Sequence, residues 1–501
     1  MRRLSLALLL AAGPLGPLGA LAAQDYRLRV DARVQSVSFR GVELDSILAS
    51  AAVPDSTGSL YTPDGIAVTC LPGEAYCTFF RPGAQLVGAP LVTTVGGSVW
   101  GFGRGLSVHG TARLGTDLSS DDAWPGTEPA AQLVEGYLQY AAERLTAKAG
   151  RLINYSRLGT TGYDGANVTW RIPRQQITVA GYLGWGLARG VALPVTSPAL
   201  NPLDDFQPLK RQIIAGLDAD WTSRIADARL IYQREVDPQA DKFVSERVAL
   251  SGAVRPAAGW TVSGGAEYDF AAGWWGSADL AVGYATRAVS GLLEARRYRP
   301  HFDLWTIWGA FSPVPYHSLR GSVTVRPSRL LRLHARGEVY RFDPAEVSAP
   351  LVPYETDGYR AELGATLEPK PGWIIDGGYS REFGPGAAAV GGGGSITYAP
   401  TRHTRITVYG QVHDRPLEFR YSQSTLRVLG FDGGTELNDR VRLSVGALRY
   451  AEERDRPDAA AFDWTQWRLT AGLTLLFARG GDLENLPPAI RRVPSGRTGA
   501  R

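Results

Sequence analysis

The chain has 501 residues, 44% hydrophobic and 20% charged, with a formal excess of four positive charges that falls to two without Arg2 and Arg3. So even a balance, with no concentrated basic tract, excludes an electrostatic nucleic-acid binder. Two cysteines and six histidines offer few metal ligands, and neither a metal nor any other cofactor is expected.

Residues 1–23 read as a secretory signal peptide. Arg2 and Arg3 precede the apolar run Leu4–Ala12, and small residues at 20–23 supply a cleavage site. Gly13-Pro14 and Gly16-Pro17 break the run before it reaches the length of a membrane span. From Tyr26 onwards one pattern repeats: apolar and polar residues alternate with period two, as in a strand with one apolar and one polar face. Residues 26–35 show it first. Residues 41–88 are the longest stretch without it and are expected to form an extracellular loop, able to fold inward as a constriction. That stretch contains "CLPGEAYC", and in an exported chain Cys70 and Cys77 are expected to close a local disulfide.

The alternation then returns many times. "WTVSGGAEYD" sets Trp260, Val262 and Tyr268 against Thr261, Ser263, Glu267 and Asp269. "RLHARGEVY" sets Leu333, Ala335 and Val339 against Arg332, His334, Arg336 and Glu338. "RITVYGQVH" does the same with Ile406, Val408 and Val412 against Arg405, Thr407, Gln411 and His413. Between runs lie short Gly- and Pro-rich breaks such as "RPAAG" at 255–259 and "EPKPG" at 368–372, which are turn signals. The last run is "WRLTAGLTLLF", residues 467–477, and the 24 residues after it are Pro- and Arg-rich without periodicity.

Strands this long, with apolar faces dotted by Gly and Ala, suit a wall against lipid better than a close-packed soluble core. Closing the wall removes the exposed edges of so large a sheet. Trp100, Trp170, Trp185, Trp221, Trp260, Trp274, Trp373 and Trp467 fall at or near strand ends, where the interfacial girdles of a membrane barrel belong. The expected fold is therefore all-β: a closed antiparallel transmembrane β-barrel over residues 24–477. The turn spacing gives it about 22 strands, with 18 to 24 allowed. Strand pattern beginning at Tyr26 leaves no room for a plug domain ahead of it.

On these features the sequence resembles the Gram-negative outer-membrane β-barrels, porin-like in broad class. Leu473, Leu475 and Phe477 match the carboxy-terminal strand that such proteins present to the barrel-assembly machinery, which characteristically ends in an aromatic residue. Residues 147–171, with Gly150-Arg151, Asp164-Gly165 and Trp170-Arg171, also resemble a hairpin of porins and alginate-export-type barrels. The resemblance implies a bacterial outer-membrane location with both termini periplasmic, residues 478–501 forming a flexible tail. Outer-membrane lipids and lipopolysaccharide would surround the wall. A barrel this wide is expected to stand alone as a monomer.

With the apolar faces in lipid, the polar faces line the interior. Arg332, Arg336, Arg360, Arg405, Arg440, Arg442 and Arg468 are the candidate lumen-lining cations, and over the strands so read cations outnumber acids two to one. Only four basic residues of the chain are lysines, so nearly every cation is a guanidinium, suited to two-pronged contact with carboxylate or phosphate. The expected function is a passive channel for small polar, anionic solutes. The bland alternative is that these arginines brace the wall against glutamates of neighbouring strands. Other readings left open are a non-transporting scaffold barrel, a barrel enzyme acting on lipid or surface substrates, and a soluble secreted β-protein. The enzyme reading finds no GxSxG and no histidine in a recognisable motif with a serine.

Overall fold

The computed structural model describes residues 25–479 apart from 55–57, 64–65, 120–129, 188–211, 238–241, 300–314, 344–355, 385–386, 416–422 and 456–462. The expected signal peptide and all but the first two residues of the expected tail lie outside the described residues.

The chain opens with β1 (Asp25–Leu48) and a flap of short strands, β2 (Val53–Pro54), β3 (Leu60–Tyr61) and β4 (Thr69–Cys70). It returns along β5 (Tyr76–Gly88) and β6 (Pro90–Trp100), one long strand interrupted at Ala89. An up-and-down run follows: β7 (Leu106–Asp117), β8 (Ala131–Ala141), β9 (Leu145–Ser156), β10 (Gly159–Ile172), β11 (Ile177–Gly186) and β12 (Ile213–Thr222). It continues through β13 (Ala226–Asp237), β14 (Lys242–Val254), β15 (Trp260–Asp269), β16 (Trp274–Ala285), β17 (Val289–Tyr298), β18 (Tyr316–Val325) and β19 (Leu331–Phe342). It finishes with β20 (Asp357–Leu367), β21 (Trp373–Gly384), β22 (Ala387–Tyr398), β23 (Thr404–Arg415), β24 (Gln423–Asn438), β25 (Val441–Asp455) and β26 (Trp464–Arg479).

From β6 to β26 each strand pairs antiparallel with its chain neighbour, β6 pairs with β1, and β1 closes the ring on β26 from Tyr26↔Arg479 to Val37↔Arg468. The sheet has 24 strands. Because β5 and β6 form one wall strand and β4 belongs to the flap, the closed barrel has 22 strands. Among the described residues only β2 and β3 lie outside this sheet.

The two ends differ. At the end carrying Asp25 and Arg479, turns of two to five residues join the strands. Gly259 and Gly372 adopt φ of +81° and +83° there, a conformation that a side chain disfavours, so each ends its proline-containing turn. At the opposite end the connections are mostly longer. β1 and β5 also run past the barrel as a two-stranded ribbon, Leu48 opposite Tyr76. Where the sequence leads one to expect a loop over 41–88, the ladder continues to Leu48 and resumes at Tyr76, because alternation there is interrupted by Gly41 and Gly83 rather than absent.

Along β26 exposure alternates residue by residue from Trp464 to Thr474. Trp467, Leu469, Leu473 and Phe477 are exposed on the outer face, while Arg468, Thr470, Gly472 and Thr474 turn inward. Register carries that assignment round the ring, since paired residues share a face. Trp170, Trp185, Trp221, Trp260, Trp373 and Trp467 fall on the outer face, with Tyr284 beside Trp260 and Tyr398 beside Trp373. Trp100 and Trp274 do not: they pair with Ser107 and Asp269 on the inner face, and Trp275 takes the outer place. In "AAGWWGS" the register, rather than the tryptophan count, decides which ring meets lipid.

Candidate solute path through the barrel

The inner face is braced by ion pairs between neighbouring strands. Arg360 of β20 reaches Glu382 of β21 at 2.6 Å and Glu338 of β19 at 3.5 Å. Arg320 of β18 pairs with Glu294 of β17, Arg229 of β13 with Asp218 of β12, and Arg442 of β25 with Glu436 of β24. Arg29 holds Asp31 along β1 at 2.6 Å, and Asp31 accepts the Thr474 hydroxyl from β26 at 2.7 Å. Lateral neighbours on adjacent strands stand closer than alternate residues on one strand, which is why Glu338 serves Arg360 and not Arg336. The expected two-to-one excess of cations is not found. Asp218, Asp279, Glu294, Glu382, Asp432 and Glu436 all fall on the inner face by register, on strands whose alternation is blurred by glycines in the sequence.

One side of the interior is filled. The two-residue turn between β9 and β10, Arg157-Leu158, bends inward and reaches strands three to six places beyond β10 round the ring. The Arg157 guanidinium pairs with Asp279 of β16 and donates to the Ser277 carbonyl at 3.4 Å. Arg247 of β14 donates to the Leu158 carbonyl at 3.0 Å, and Leu158 is buried with Ile231 and Ala249. Beneath the turn, Tyr137, Leu152, Tyr163, Tyr182 and Ile214 form an apolar cluster inside the barrel. Gln233 accepts from Tyr182 Oη at 3.2 Å and from Thr161 Oγ1 at 3.3 Å. The inner surface of β8–β14 is thus a small core, bridged to β16 by one guanidinium. The ribbon, read from the sequence as a loop able to fold inward, pairs β1 with β5, and among the described residues the Arg157-Leu158 turn is an element that does reach inward.

The inner face of β17–β26 and β1 carries exposed charge instead. Arg33, Arg336 and Arg405 point inward, are exposed, and make no ion pair among the described residues. Arg33 and Arg405 flank a recess of about 510 Å³ floored by Gly434, Ser444 and Gly472 and edged by Asp31, Asp432, Thr407 and Thr470.

The other arginines singled out from the sequence are dispersed around this surface. Arg332 donates to Thr366 Oγ1 at 3.3 Å, and Thr366 donates to Asp376 at 2.9 Å. Arg468 lies over the Tyr450 ring at 5.6 Å. Arg440 is not on the wall: it belongs to the two-residue turn before β25, its backbone N–H bonded to Asn438 Oδ1 at 2.8 Å. Leu473, Leu475 and Phe477 share the outer face of the closing strand. Cys70 and Cys77 are register partners of β4 and β5, sulfurs bonded and Cα atoms 4.2 Å apart. Sequence reasoning missed Arg33's place at the recess and the whole Arg157–Asp279 bridge.

It also missed a histidine between two serines. His109 Nδ1 lies 2.7 Å from Ser98 Oγ and Nε2 lies 2.8 Å from Ser107 Oγ, with the ring stacked on Tyr137 at 4.8 Å. The Ser107-x-His109 spacing puts both on one face of a strand, which was a legible signal. Both hydroxyls and the ring are buried, His109 at 5% exposure, so both nitrogens are spent within the wall. Among the described residues no group of His, Cys, Asp or Glu is placed to hold a metal ion.

No family model matches the chain, and no curated protein matches it. Among solved structures, a point mutant of the ferric enterobactin receptor of Pseudomonas aeruginosa covers 89% of this chain and 81% of its own, at 10% identity and a TM-score of 0.50. OccK3 of the same organism covers 91% and 96% at 9% identity and a TM-score of 0.38. OccAB4 of Acinetobacter baumannii covers 90% and 98% at 9% identity and 0.37. The likeness is one of fold. A closed ring of long antiparallel strands, apolar outward, charged inward and girdled by aromatic rings, is an outer-membrane β-barrel. By architecture the protein is such a barrel, closed by 22 strands.

Proposed function

We propose that this barrel is a passive channel for small polar solutes, preferring anions, and that its passage runs off-centre. The observation that supports this is the division of the interior. The inner face of β8–β14 is filled and bridged to β16, while the inner face of β17–β26 and β1 carries exposed charge, including three guanidiniums that are both exposed and without an ion pair among the described residues. Paired arginines present little net field to a solute, so we assign any preference first to the exposed Arg33, Arg336 and Arg405, with Arg332 and Arg468 behind them, since these contact a hydroxyl and a ring and not an acid. The braced pairs fit the bland reading of wall support, and both roles coexist on different residues. We read both termini as periplasmic, because they share the short-turn end typical of that side. We read Leu473, Leu475 and Phe477 as the strand offered to the assembly machinery.

Planar-bilayer recording of the refolded protein tests this. Steady current with an anion-shifted reversal potential in a salt gradient is expected. Heat-modifiable, folded protein that passes no current would overturn the channel in favour of a scaffold.

A further inference from the structure

The ribbon of β1 and β5 has two unlike faces. On one, Cys77 and Phe79 are buried, and Glu43, Asp45 and Arg81 supply charge, with Arg81 3.1 Å from Asp45. On the other, register sets Leu44 beside Phe80 and Leu48 beside Tyr76, with Ser46 and Thr78 between them. That face carries no charge over this span. Leu44 is 64% exposed and Phe80 62%, and Leu48 and Tyr76 are exposed as well.

The bare face continues a surface already assigned. Side chains alternate along a strand, so Leu44 and Leu48 lie on the same side of β1 as Leu28, Val30 and Val34, which pair with Phe477, Leu475 and Ala471 on the lipid side. β1 keeps its phase through the irregularity between Arg40 and Val42, because the extra residue there is on β5, at Gly83-Ala84. The closing strand ends its support at Ser38, whose hydroxyl takes the Trp467 N–H at 3.3 Å. Leu44 stands six residues beyond it, about 20 Å along an extended strand. A bulge bends a ribbon. The outward direction of that bend is part of the proposal: it turns the barrel's outer face down, toward the lipid.

We propose that this ribbon is a membrane-contacting brim: it rests Leu44, Leu48, Tyr76 and Phe80 on the outer leaflet beside the barrel. The partner is the lipid surface, recognised by an uncharged apolar strip with a tyrosine hydroxyl at the headgroup level. This rests on the outer-membrane reading and extends it to a segment beyond the wall.

Spin labels at single introduced cysteines test the proposal, with the Cys70–Cys77 bond left oxidised. Leu44→Cys and Phe80→Cys probe the bare face, Glu43→Cys and Arg81→Cys the charged one, and Leu469→Cys the barrel belt. In phosphatidylethanolamine–phosphatidylglycerol vesicles, with and without lipopolysaccharide, oxygen should relax labels 44, 80 and 469 more than a nickel chelate does. The order should invert at 43 and 81. Leu48→Cys and Tyr76→Cys repeat the reading should the first pair not fold. Water-like accessibility at 44 and 80 with a lipid-like belt overturns the brim alone. Protection from both agents with spin–spin broadening at 44 overturns it in favour of a second copy. A water-like belt label overturns the membrane reading and the brim with it.

Discussion

Arg151 and Asp164 are register partners on β9 and β10, joined by two bonds, Nε to Oδ1 at 2.8 Å and Nη2 to Oδ2 at 3.1 Å. By alternation they share the outer face with Ala149, Ala166 and Trp185, so the pair stands in the wall that meets lipid. Arg151 Nη1 also donates to the Leu133 carbonyl at 3.0 Å, where β8 slips register against β7. On the next rung, facing inward, Gly150 meets Gly165; a Cβ on Gly150 would lie 2.3 Å from the Gly136 carbonyl oxygen. The Gly-Arg and Asp-Gly dipeptides noted in the sequence are therefore two halves of one cross-strand joint.

Removing one partner should strand the other charge in a water-poor setting. Arg151→Ala or Asp164→Ala is expected to lose on the order of 3 kcal/mol, whereas the double change to leucine loses much less. Urea unfolding in lipid vesicles measures both. Equal loss in all three variants would show that the joint acts through packing and not through charge.

The Arg157–Asp279 bridge should set the width of the passage. Arg157→Ala and Asp279→Ala are each expected to raise single-channel conductance, and the double variant should add nothing to either. Conductance unchanged in both would place the narrow point elsewhere.

Selectivity and bracing should separate by residue. Arg336→Glu and Arg405→Glu should move the reversal potential toward cations, since neither guanidinium is neutralised by an ion pair among the described residues. Arg360→Gln, which breaks contacts to Glu338 and Glu382, should lower the unfolding midpoint more than it moves selectivity.

Gly430 gives a steric prediction. A Cβ there would sit 2.1 Å from the Tyr409 ring, which lies across the strand from it. Gly430→Ala must push that ring aside, at a cost of about 1–3 kcal/mol of overpacking. Tyr409→Ala in the same chain should remove most of the penalty, as a double-mutant cycle would read.

Reduction of Cys70–Cys77 should loosen only the flap. Opening a loop of seven-residue separation forfeits roughly 2–3 kcal/mol of closure entropy. Limited proteolysis should then cut within residues 49–75 while the heat-modifiable barrel persists. Barrel unfolding on reduction would contradict the division into flap and wall.

Most of the wall was legible from period two, because residues facing lipid are apolar whatever their neighbours are, unless, like Arg151 and Asp164, they are paired with each other. Leu469, Leu473 and Phe477 could be assigned outward from β26 by itself, and so could Arg468 inward. Pairing within the interior was not legible. Glu382 and Asp218 lie on strands diluted by glycine, and their partners come from the next strand, so counting charges on the clearest strands overstated the excess of arginine. Trp274 and Trp275 show the same limit, since adjacent rings point opposite ways and only the register with Tyr268 and Asp269 distinguishes them.

The sequence by itself determined the class of the fold, most of the lipid-facing residues and the barrel's closing strand. Each follows from local alternation and from the rule that a membrane wall must satisfy its own backbone. Tertiary structure alone decided what the interior is. Arg157 and Asp279 are 122 residues apart, and nothing local to either encodes their meeting. Only closure of the ring brings that turn over β14–β16, fills one side, and leaves Arg33, Arg336 and Arg405 facing the other.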